Sequence, residues 1–201
     1  MTDIKFGKET KKIAKFVHTE MPALGFIIWD LAPFIPFMHT WRKNIIFIEC
    51  ERLAIDSMVE LVAREYPDYE VYAGIKKPVL RIKLAEREGT VVILAREGKT
   101  RREIKGEHPK LEKCLVDLLY YSEKGFLPIV LHDVLDLWEY YLTETASVRF
   151  NELYRYSLRR YLGWLVSVFA YYLSGRTKLK IDERHFKSGL KNLELLKMVG
   201  A

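Results

Sequence analysis

Phe26-Ile27-Ile28-Trp29-Asp30, followed by Ile45-Ile46-Phe47-Ile48-Glu49-Cys50-Glu51-Arg52, decides the fold of this chain. Each is a short, nearly unbroken run of β-branched and aromatic side chains, the pattern of a strand covered on both faces. Each also ends in carboxylate, as a strand does where it surfaces into water or delivers acids to a site. The segment between them, Ala32-Pro33-Phe34-Ile35-Pro36-Phe37-Met38-His39, is aromatic and interrupted by two prolines, and so reads as a loop. Strands are therefore expected at 26–30 and 44–51.

Outward from this pair, Lys8 to Met21 sets Ile13, Phe16 and Val17 against Lys8, Lys11, Lys12 and Lys15, an amphipathic helix stopped by Pro22. Arg52 to Glu65 places Leu53, Met58, Leu61 and Val62 at helical spacings and ends before Pro67. A short strand is expected at 69–72. Two β-rich runs, 78–85 and 90–95, flank Glu86-Arg87-Glu88-Gly89 and predict a hairpin. The stretch 99–108 is polar and reads as a connector. Beyond it the pattern is helical: Pro109–Glu123, with Pro109 in the first turn where its missing N–H needs no partner, then Pro128–Tyr141, Val148–Tyr161, Leu162–Leu173 and Asp182–Met198, with Asp182 as N-cap. The expectation is an α+β or α/β chain: an N-terminal domain on a mixed sheet over residues 1–100, then a helical domain over 101–201 that is basic at its C-terminal end.

Composition narrows the partner classes. The 201 residues are 49% hydrophobic and 30% charged, with a net charge of +6, a globular balance. Residues 147–201 carry +7 and residues 1–20 carry +2, leaving the middle acidic; an anionic partner would prefer the C-terminal part. The apolar run from Tyr161 to Leu173 is shorter than the roughly 20 residues a membrane span needs, so no membrane partner is expected. The first 20 residues are charged throughout, unlike a signal peptide, and the cytoplasm is the expected location. The chain has no Gln and only three Asn among many charges of both signs, the bias of heat-adapted proteins. Cys50 and Cys114 have no metal-ligand spacing and read as buried thiols, a disulfide being open only as a thermophile exception.

No Gly-rich phosphate loop, nucleophile elbow or cofactor motif is present, and no cofactor is expected. Glu49 and Glu51, two apart on a strand, would share a face, and with Asp30 on a neighbouring strand could hold Mg²⁺ or supply a base. That is the enzymatic alternative, a divalent-metal nuclease or phosphotransferase. The competing reading is solvated acids at a strand end with Arg52 pairing one of them. His39 stands alone, with no second His or Cys at ligand spacing, and fits a packed, hydrogen-bonded residue as well as a ligand. On the helix 148–161, Asn151, Arg155 and Arg159 recur every four residues with Arg160 beside them. Such forks suit phosphate or carboxylate, and Tyr154, Tyr156 and Tyr161 could add stacking surface. Glu152 is placed to pair with Arg155; alternatively, the arginines pair with acids of the first domain and hold the two blocks together. Lys113 and Asp117 form an i, i+4 pair that on a lone helix contributes a few tenths of a kcal/mol.

Taken together, Trp29-Asp30, Phe37-Met38-His39-Thr40, Glu49-Cys50-Glu51-Arg52, Pro109-Lys110-Leu111-Glu112-Lys113-Cys114-Leu115-Val116-Asp117-Leu118, and Asn151, Leu153, Arg155-Tyr156 and Arg159-Arg160 resemble the C-terminal region of AbiEi-type antitoxins. The resemblance spans about residues 10–165. It implies a non-enzymatic regulatory protein whose partner is a nucleotidyltransferase-type toxin or nucleic acid, with recognition by Asn151, Arg155, Arg159, Arg160, His39, Arg52 and Lys113. The winged helix-turn-helix usual in that family has no counterpart in the some 20 residues before the first strand, which puts promoter reading in doubt. Oligomeric state is not set by anything in the sequence.

Overall fold

The computed structural model describes residues 4–39, 41–74, 89–96, 104–105, 108–145, 148–176 and 181. Two compact units form: Asp3–Lys110 with Tyr121–Val130, and Leu111–Tyr120 with the chain from Leu131 onward.

The first unit is built on a four-stranded mixed sheet. Its strands are β1 (Ile27–Asp30), β2 (Ile45–Cys50), β3 (Glu70–Ala73) and β4 (Thr90–Ala95), in the order β1-β2-β4-β3. β1 runs antiparallel to β2, with Trp29 opposite Phe47, whereas β4 lies parallel to both β2 and β3. Two parallel neighbours require crossovers, and the helix α2 (Ile55–Glu65) supplies the one from β2 to β3. β2 is buried at all six residues, which explains its unbroken apolar run.

One face of the sheet presents Ile28, Ile46, Ile48, Cys50, Val91 and Ile93 to Ile13, Ala14 and Val17 of α1 (Lys8–Glu20) and to Met58 and Val62 of α2. The other carries Trp29 stacked on Phe47, ring centroids 4.4 Å apart, with Tyr121 stacked beyond at 5.6 Å from Phe47. Two short strands, β5 (Ile104–Lys105) and β6 (His108–Pro109), pair antiparallel. His108 Nδ1–H donates to the Ile28 carbonyl at 2.9 Å, so the edge strand β1 is not left bare.

The second unit contains most of α3 (Leu111–Glu123), then α4 (Leu131–Thr143), α5 (Phe150–Arg159) and α6 (Gly163–Arg176). From Leu111 to Leu119 every residue of α3 is buried, charged ones included. Trp138 of α4 donates its indole N–H to the Leu115 carbonyl at 3.3 Å and meets Phe169 of α6 edge to face at 5.6 Å. No helix among the described residues is long and apolar enough to cross a membrane.

The expected architecture, a mixed sheet followed by helices, is the one observed, and the differences are local. Pro109 closes β6 instead of opening α3, and part of the expected connector is strand. Leu53, read as a core residue, is 96% exposed because Arg52–Ala54 is a 3₁₀ turn, so its phase is not that of α2. The strand expected at 78–85 with its hairpin, and the helix Asp182–Met198, lie outside the described residues.

Asp30 ties sheet to helix. Gly7, at the N-cap of α1, has no side chain to cap with; the Asp30 carboxylate, from β1, instead binds the first turn through the Gly7 N–H and the Thr10 side chain. It accepts the Gly7 N–H at 2.7 Å, the Thr10 hydroxyl, and the Ala32 N–H at 3.0 Å. A Cβ on residue 7 would lie 3.0 Å from that carboxylate, which accounts for glycine there. Asp30→Ala strands these donors and should destabilise the protein by about 3 kcal/mol, measured as a fall in urea midpoint at unchanged slope.

Candidate functional site

The acids at the strand exits part company. Asp30 is fully buried in the hydrogen bonds just described. Glu49, 3% exposed, accepts the Trp29 indole N–H at 3.2 Å. Glu51 stands beyond the end of β2, exposed, and Arg52 opens the following turn, also exposed. Among the described residues no three His, Cys, Asp or Glu side chains gather where a metal could be held, so Asp30, Glu49 and Glu51 do not form such a group. His39 is exposed in the loop before β2. Cys50 and Cys114 are both buried free thiols.

The second unit assembles a cluster that residue spacing did not foretell. Lys113 and Asp117, one turn apart on α3, are 2% and 0% exposed. Lys113 Nζ donates to Asp117 Oδ2 at 2.5 Å. The other carboxylate oxygen accepts the Tyr156 hydroxyl at 3.2 Å, Arg160 Nε at 3.0 Å and Arg160 Nη2 at 2.8 Å. The Arg160 guanidinium lies over the Tyr120 ring at 4.8 Å, and Lys113 Nζ over the Tyr156 ring at 5.7 Å. A carboxylate removed from water is tolerated only when donors replace its hydration, and these three side chains do so.

This sorts the arginine row of α5. Leu153, Tyr156 and Ser157 form the buried face of the helix. Arg160, just past its end, turns inward to Asp117. Asn151, Arg155 and Arg159 are exposed on the other side. Arg155 donates to Glu152 of its own helix at 2.8 Å, an exposed pair, as the spacing of the two residues suggested. From sequence Tyr120 was not singled out, Tyr156 was read only as stacking surface, and Asp117 only as the i, i+4 partner of Lys113. An i, i+4 Lys–Asp pair and interleaved tyrosines are common on solvated helices, and nothing local marks them as meeting.

The helix α5 also ends unusually. Tyr161 N–H donates to the Leu158 carbonyl at 3.2 Å and Leu162 N–H to the Ser157 carbonyl at 2.9 Å, the crossed pair of bonds that closes a helix through a left-handed residue. That residue is Tyr161, φ 57°, where glycine is usual, and a side chain there costs about 1 kcal/mol. Tyr161 is 90% exposed, with Leu158 at 51% and Trp164 at 44%. A Cβ on Gly163 would fall 2.5 Å from Leu158 Cδ2, so the Leu158 side chain lies across the start of α6.

Residues 4–169 match the family model described as DUF6577, a family of unknown function. The chain belongs to the DUF6577 family. No curated protein and no solved structure matches it. The matched span of this DUF6577 member holds the Asp30 tie, the Asp117 cluster and all of α5.

Two outcomes test this geometry. Asp117→Ala should cost about 3–5 kcal/mol, since it leaves buried cations without this acid, whereas Arg155→Ala, at an exposed pair, should stay within about 0.5 kcal/mol; urea unfolding compares them. The Cys50 thiol is pushed up to about 11 by burial, an effect nearby Arg96 partly offsets. Its folded pKa therefore lies above the unfolded one, so this contribution to stability is present below about pH 9 and is lost as pH rises toward 11. A thiol reagent at pH 8 should modify Cys50 only after unfolding.

Proposed function

We propose that this protein is a non-enzymatic, antitoxin-like regulatory protein of an AbiE-type toxin–antitoxin module that engages an anionic partner through the exposed basic face of α5. The partner is a nucleotidyltransferase-type toxin or a nucleic acid. The observation that carries the reading is the division of the arginines. Arg160 is held internally by Asp117, whereas Arg155 and Arg159, one turn apart, are exposed, Arg155 beside Glu152. Guanidiniums so placed bind phosphate or carboxylate bidentately. The excess of basic residues in 147–201 would draw such a partner to this end of the chain. The motif resemblance over about residues 10–165 supports the antitoxin assignment, and a nucleotidyltransferase encoded by the adjacent reading frame would be its natural counterpart.

The metal-dependent nuclease or phosphotransferase reading is the weaker one. Asp30 and Glu49, two of its three acids, are occupied by donors of the sheet unit.

Replacing Arg155 and Arg159 together with Ala should weaken capture of the adjacent nucleotidyltransferase, or binding of a labelled oligonucleotide, about tenfold or more. The melting temperature should move by no more than about 2 °C. Undiminished binding of both ligands by the double variant would remove this reading. Binding is read by co-purification and fluorescence anisotropy.

A further inference from the structure

We infer that the corner joining α5 and α6 is a platform for an unpaired nucleic-acid strand, with Tyr161 as the ring on which a base stacks and Arg155 and Arg159 as its phosphate contacts. The inference rests on the reading of α5 as the recognition face and names the class of anion it takes.

On α5, Arg155, Leu158 and Arg159 stand at i, i+3 and i+4 and share the exposed face. The helix then closes at Tyr161, whose ring projects almost wholly into water. The crossed hydrogen bonds fix the backbone at that point, so the ring is delivered from a rigid turn beside the arginines. A glycine would close the helix with less strain; the tyrosine adds nothing to that closure, and with so little of its surface covered it adds little to packing. Leu158 and Trp164, three residues before and after it in the chain, are exposed apolar side chains as well.

Basic forks beside a projecting ring match the two demands of a single strand: charge along its phosphates and a π-face for its bases. A duplex needs the charges but keeps its bases stacked on each other, so it has no use for the ring. An acidic protein would use the arginines, but a protein interface wants a wider and more continuous apolar centre than three side chains set among charges. The excess of positive charge in residues 147–201 complements a polyanion.

The test uses the full chain and a fluorescein-labelled oligouridylate of about 15 nucleotides, with a duplex of equal length for comparison. The wild type should prefer the single strand. Tyr161→Gly should weaken that binding about tenfold with an unchanged slope of log affinity against log salt, and its melting temperature should be equal or higher because the strain is relieved. Tyr161→Phe, which keeps the ring, should bind like wild type. Arg155→Ala with Arg159→Ala should flatten the salt slope by roughly 1 per arginine. Wild-type affinity in Tyr161→Gly, equal affinity for the duplex, or no oligonucleotide binding at all would overturn the inference. If Tyr161→Gly binds the single strand like wild type while the arginine variant loses the duplex or the nucleotidyltransferase, the unpaired-strand inference fails and the basic-face reading stands. If neither variant changes any of these ligands, both fail.

Discussion

Burying Asp117 strips its carboxylate of water, and the helical unit is arranged around replacing what was lost. Lys113 supplies a donor from the same helix, and Tyr156 and Arg160 supply donors from α5 and its end. Because a buried carboxylate left without donors is costly, this requirement sets the rotation of α5 about its own axis. Tyr156 must face inward, and Arg160 must reach back past the last turn. The opposite side of the helix, with Asn151, Arg155 and Arg159, is then turned to solvent as a geometric consequence. The acid that stabilises the interior thus selects which guanidinium turns inward and which lie on the exposed face.

The sheet unit uses its acids in a comparable way. A carboxylate at a strand exit offers charge-assisted acceptors where backbone donors begin to go unpaired. Asp30 takes up such donors at the start of α1 and in the turn after β1. Glu49 satisfies the one polar atom of the Trp29 ring, whose apolar body stacks on Phe47. These acids bind elements of the fold together, and that service conflicts with a free metal-ligating role for the same oxygens.

The strand pair and the amphipathic helices were readable because their patterns are local. An unbroken run such as Ile45–Ile48 can be buried only in the middle of a layered sheet, and the spacing of Ile13 and Val17 needs no distant information. The errors fell where two local rules competed. Leu53 kept the helical period of α2 by coincidence while its backbone formed a 3₁₀ turn. Pro109 suits a helix start as well as a strand end, and pairing with Ile104 decided between them.

For the candidate site, residue type and spacing announced that Asn151, Arg155, Arg159 and Arg160 were basic or polar neighbours, and periodicity put them on or beside one helical face. Which of them would turn inward was not written there, because that depended on a carboxylate 43 residues away in the chain. Composition and hydrophobic period act over a few residues and so specify elements and their apolar faces. The desolvation of a charge acts on whatever the fold brings within hydrogen-bond reach, and so the pairing of Asp117 with Arg160 and the outward projection of Tyr161 emerged only when the helices packed.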